Sequence, residues 1–97
     1  MDERTLPGGG IINDRRTPEQ KASTRLLIVG TDRFLSGWGY GPRRSIAAWP
    51  VYDDNWERAF DAIKRRSDMM RVRLVLANYR PRLTHGDHLS IYDNQPG

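Results

Sequence analysis

After residue 24 the apolar positions fall into short, separated groups. Leu26-Leu27-Ile28-Val29 is a continuous apolar run bordered by Arg25 and by Gly30-Thr31-Asp32. That length and those borders predict a buried strand. Over residues 43–52, Ile46 and Ala48 face one side and Ala47 and Trp49 the other, which predicts a second strand. Pro50 has no N–H to give to a ladder, so the strand ends there or runs along an edge. Trp56, Ala59, Phe60 and Ile63 then recur at i, i+3, i+4 and i+7, the apolar stripe of an amphipathic helix. Asp54, answered by Glu57, fits its N-terminal cap. Asp54–Arg58 and Asp61–Arg65 have the favourable acid-first i,i+4 order, and Lys64-Arg65-Arg66 places cations where the helix dipole favours them. Arg71 to Leu76 alternates, with Val72, Leu74 and Leu76 inward and Arg71 and Arg73 outward. His88 to Tyr92 alternates again, with Leu89 and Ile91 on one face.

The order β, β, α, β, β predicts an α+β fold: one helix packed on one face of a four-stranded, mainly antiparallel sheet. The opposite face would carry Arg71, Arg73, His88, Ser90 and Tyr92. Residues 1–24 hold Gly8-Gly9-Gly10, Pro7, Pro18 and four charges of each sign, with only Leu6, Ile11 and Ile12 to anchor a core. They are expected to form a flexible N-terminal tail preceding a small domain over 25–97. Residues 93–97 read as a frayed end.

Composition narrows the function classes. The chain has 97 residues, 37% of them hydrophobic, and a net charge of +4, with a mean hydropathy of −0.75. One domain fits that length, and large catalytic barrels do not. Without cysteine there is no disulfide framework, thiolate zinc site or cysteine nucleophile. No apolar run reaches the roughly 18 residues of a spanning helix, and Met-Asp-Glu-Arg lacks the apolar segment of a signal peptide. The expectation is a cytoplasmic protein away from membranes. A domain this small is marginally stable alone, and a homodimer or a bound partner would add buried surface.

Fourteen of the sixteen bases are Arg. Arg presents a planar fork of donors suited to phosphate and carboxylate, although a coding bias accounts equally for Arg over Lys. Arg33, Arg43, Arg44, Arg71, Arg73, Arg80 and Arg82 fall on strands and loops rather than on the charge-paired helix. With Trp38 and Tyr40, which alternate with Gly37, Gly39 and Gly41 in a loop, they form the candidate partner-binding set. The plain alternative is that Trp38 folds back on the core and each Arg is merely solvated. His85-Gly86-Asp87-His88 has metal-ligand chemistry but no third spaced ligand. His88-Leu89-Ser90 matches one copy of the motif that two-histidine phosphoesterases carry twice, so half the acid–base machinery is missing. The glycines around Trp38 and Tyr40 do not form a phosphate loop. Asp54 and Asp61 are explained by capping and pairing. No cofactor motif, metal cage or catalytic set emerges.

Three segments, Thr31 to Gly39, Ser45 to Trp49 and Arg66 to Arg73, resemble short accessory proteins carried by plasmids, phages and integrative elements. The likeness spans about residues 25–92. It implies a stoichiometric binder, anti-CRISPR-like inhibitors among them. The sequence therefore points first to a non-enzymatic module that binds a protein of a host nucleic-acid machine. The second reading is a small basic domain binding RNA or single-stranded nucleic acid. The third is a phosphoesterase-like enzyme using His88.

Overall fold

The computed structural model describes residues 2–5, 10–32, 45–83 and 86–96. The described residues form a six-stranded mixed sheet with two helices. In chain order these are β1 (Asp2–Thr5), β2 (Ile11–Asp14), α1 (Pro18–Ser23), β3 (Leu26–Asp32), β4 (Ser45–Val51), α2 (Trp56–Lys64), β5 (Met69–Leu76) and β6 (His88–Ile91). The spatial order is β1-β2-β6-β4-β3-β5. β3 pairs antiparallel with β4 and β5, and β1 with β2, while β6 runs parallel to both β2 and β4.

The α+β class, the apolar run at Leu26, the strands around Ile46, Val72 and Leu89, and the helix at Trp56 are all present. Two features differ from the four-stranded, one-helix expectation. The sheet is mixed, because β6 inserts between β2 and β4. The stretch read as a flexible tail also supplies β1, β2 and α1. Two isoleucines suffice for β2 because its pairing is non-local: Ile11 to Asp14 lie beside His88 to Ile91, and Ile12 is buried with Leu89 and Ile91. Gly10 leads into this strand against Leu83, whose Cβ leaves no room for a side chain there.

The segment after β2 is fastened by Asp14. Its carboxylate accepts from Arg16 Nε at 2.9 Å and from Arg16 Nη2 at 2.8 Å, and Arg16 Nη1 donates to Thr24 Oγ1 at 3.0 Å. Burial opposes the Asp14 charge, but the hydrogen bonds and charge of Arg16, with Lys21 beyond, outweigh it and hold the carboxyl below its ordinary pKa of 3.8. Between them, α1 is closed by a capping box: Gln20 N donates to Thr17 Oγ1 and Thr17 N donates to Gln20 Oε1.

Each sheet face has its own core. On one face α2 sets Ala59 and Ile63 against Ile28, Ala47, Trp49, Val51 and Met69. Trp56, expected in the apolar stripe, is 37% exposed. The expected Asp54 cap also differs. Asn55 is the N-cap and makes no side-chain capping bond, while Asp54 accepts from Arg25 at 2.5 Å. The Asp61–Arg65 pair forms at 3.0 Å. Tyr92 stacks on Trp49 with ring centroids 5.3 Å apart, and the guanidinium groups of Arg15 and Arg66 lie over the outer ends of this pair. On the other face Ile12, Leu27, Val29, Ile46, Ala48, Leu89 and Ile91 pack together under Leu83 and Tyr79. This second face is thus partly covered: Tyr79 and Leu83, from the return between β5 and β6, lie over it, while Arg71 and Arg73 line the part left open.

Pro50 is buried in β4 and follows the end of the β4–β6 ladder at Ala48–Ile91, where the missing donor does least harm. Residues 93–95 are tied down rather than frayed. Tyr52 Oη donates to the Asp93 carbonyl at 2.7 Å, and Gln95 Oε1 accepts from Tyr52 N at 2.8 Å.

Candidate functional site

β5 is where the sequence places arginines in the sheet, and it carries the most unusual backbone among the described residues. Across β3, Val29 pairs with Arg73 and Thr31 with Met70. Gly30 therefore faces two residues of β5, a bulge centred on Arg71 and Val72. Arg71 has φ = 56°, the left-handed region that disfavours a residue with a Cβ. A Cβ at Gly30 would come within 3.2 Å of Met69 Sδ, so a side chain there would have to displace that flexible thioether slightly.

The bulge re-aims Arg71. It joins Arg73, Tyr79, Val29, Thr31 and Ile46 around an open pocket of about 190 Å³. The apolar floor comes from β3 and β4, the cationic wall from β5, and the aromatic wall from the return segment. Arg73 Nη2 donates to Tyr79 Oη at 2.5 Å, and the Arg73 guanidinium lies 5.1 Å from the Tyr79 ring centroid. Arg80 Nη1 donates to the Tyr79 carbonyl at 2.8 Å. A smaller hollow on the far side of Tyr79 is lined by Arg80, Ile12, Ile91 and the Asp14–Arg16 pair.

Pairing differs among the arginines. Among the described residues Arg71, Arg73 and Arg80 have no carboxylate partner, nor do Arg15 and Arg58 elsewhere on the surface, whereas Arg16, Arg25, Arg65 and Arg66 all do. Three exposed guanidiniums around one tyrosine thus keep most of their donor capacity.

The sequence-based set divides accordingly. Arg71, Arg73 and Arg80 converge on Tyr79, and Arg82 is exposed on the same return segment. Arg33, Trp38, Tyr40, Arg43 and Arg44 lie outside the described residues, as does His85. The expected grouping of Arg71 and Arg73 with His88, Ser90 and Tyr92 does not form. Leu89 and Ile91 belong to the core under Tyr79, so their alternating neighbours point to the α2 side, where Tyr92 packs on Trp49. Tyr79 is the residue that sequence reasoning missed. Its signal was an aromatic followed by Arg80 just beyond a strand bearing two outward arginines. Among the described residues no group of three His, Asp or Glu is placed to hold a metal ion, and no helix is long and apolar enough to cross a membrane.

No family model matches the chain, and neither a curated protein nor a solved structure matches it. The functional reading rests on the site itself.

Proposed function

We propose that this protein is a non-enzymatic binding module that grips an acidic surface of a protein partner through Arg71, Arg73 and Arg80 around Tyr79. The observation that carries this reading is the convergence of three arginines without carboxylate partners on one aromatic. Arg and Tyr are the side chains that most often dominate interface energetics. A guanidinium fork fixes both the charge and the orientation of an incoming carboxylate. Such a surface fits a component of a nucleic-acid machine and a stoichiometric mode of action, as the sequence resemblance suggests. Arg33, Arg43, Arg44, Arg82, Trp38 and Tyr40 extend the proposed contact set.

A phosphate backbone offers the same forks similar chemistry, which keeps a nucleic-acid ligand as the second reading. The placement of Arg73 over the Tyr79 ring favours the protein partner, because that ring face is already covered and is not open to a stacking base.

The test is titration of fluorescent polyglutamate with wild-type protein and with the Arg71→Ser/Arg73→Ser double variant. The double variant is expected to bind at least about tenfold more weakly while keeping a cooperative melt, because both side chains are exposed and only the Arg73 contacts with Tyr79 are lost. Equal affinity in the two proteins would move the site elsewhere.

A further inference from the structure

β5 closes one end of the sheet. Eight residues long, it is the longest strand among the described residues; six of them pair with β3 on one side, and among the described residues no strand lies on the other. An open edge of this length is a template for a further strand. Its side chains are sorted by face. Arg71 and Arg73 line the pocket side. Val72 and Leu74 lie on the α2 side, where both are only partly buried. Leu76 follows them in the alternation and is 68% exposed.

A strand laid along this edge would meet two different rows. Its residues on the pocket side would face guanidiniums without carboxylate partners, and those between them would face half-covered aliphatic side chains. A second copy of the chain is a poor occupant. Antiparallel pairing centred on Arg73 sets Arg73 against its own copy, and like charges directly opposite destabilise a sheet pair. An acidic strand reverses the sign of that contact.

Building on the proposed acidic protein partner, we propose that β5 receives an extended acidic segment of that partner as a seventh strand. Its alternate carboxylates would pair with Arg71 and Arg73, and its intervening apolar residues would cover Val72, Leu74 and Leu76. Main-chain hydrogen bonds would supply affinity and the two side-chain rows specificity.

The probe is a short fluorescent peptide of alternating Glu and Val, blocked at both ends, with two isomers N-methylated on every Val or on every Glu. Charge and composition are the same in both isomers. In a strand, however, alternate residues turn their N–H groups to opposite edges, so each isomer blocks one edge only. Strand addition predicts that the parent peptide and one isomer bind, and that the other isomer binds at least about tenfold more weakly. Equal binding of both isomers would overturn strand addition and leave the acidic-partner reading intact. No binding of the parent peptide would also overturn it. The partner class is decided separately by the polyglutamate and oligonucleotide titrations, which need no strand pairing.

Discussion

Asp14 carries more of the fold than its place in a charge-balanced, glycine-rich stretch suggests. It fixes Arg16 through a bidentate pair, and Arg16 in turn reaches Thr24. The Arg16 and Asp14 side chains are 7% and 12% exposed, so removing the carboxylate leaves a buried guanidinium without its counter-charge. Asp14→Asn is therefore expected to cost about 3 kcal/mol at neutral pH, read by urea unfolding. The pH dependence has a definite sign. The folded pKa lies below the ordinary 3.8, so the folded state binds this proton less readily than the unfolded chain. The resulting stability is complete above the unfolded value and is lost as pH falls through the lowered one. The wild type should lose stability more steeply than Asp14→Asn below about pH 4. Parallel acid limbs in the two proteins would show that the pair is not a determinant. Arg71 is the other residue at which local cost meets use: its left-handed backbone places a guanidinium at the pocket.

At the level of elements, legibility followed the range of the interactions. α2 was readable from Ala59, Phe60 and Ile63, because helical spacing is a local signal, and β5 from the alternation of Arg71, Val72, Arg73 and Leu74. β2 was not, since Ile11 and Ile12 are too few to mark a strand and their partners, His88 and Leu89, lie at the far end of the chain. The helix α1 had a local signal in Thr17-Pro18-Glu19-Gln20, a capping pattern, but no apolar stripe to support it. The Asp54 cap differs because α2 begins one residue later, with Asn55 as its N-cap, and Asp54 pairs instead with Arg25 just before β3. Ile12→Ala tests the insertion of β2 directly. With Ile12 6% exposed among Leu89, Ile91 and Leu83, the substitution is expected to cost about 2–4 kcal/mol in thermal or urea unfolding. A loss below about 0.5 kcal/mol would fit an unpacked tail instead.

For the molecule as a whole, the charge pattern directs the functional reading. The +4 balance is modest, but Asp14, Asp54, Asp61 and Asp68 are taken up by Arg16, Arg25, Arg65 and Arg66, and none of the acids among the described residues pairs with Arg71, Arg73 or Arg80 around Tyr79. The sequence named those three arginines correctly as residues on strands and loops. It could not show that Arg71 and Arg73 line one side of Tyr79 and Arg80 the hollow on the other, because both depend on the return segment folding Tyr79 and Leu83 over the second sheet face. Nor could it show that Tyr92 and Ser90 point away from them, since that follows from how β6 inserts between β2 and β4.

The most direct test of the central claim is competition at physiological salt between polyglutamate and single-stranded RNA or DNA of equal charge number for the wild-type protein. Screening at that ionic strength suppresses diffuse attraction and leaves close-range recognition to decide. The account predicts that polyglutamate displaces the oligonucleotide, with an affinity at least equal to it, and that Arg71→Ser/Arg73→Ser abolishes the displacement. Oligonucleotide binding that polyglutamate does not displace would contradict the account and make this a nucleic-acid-binding domain.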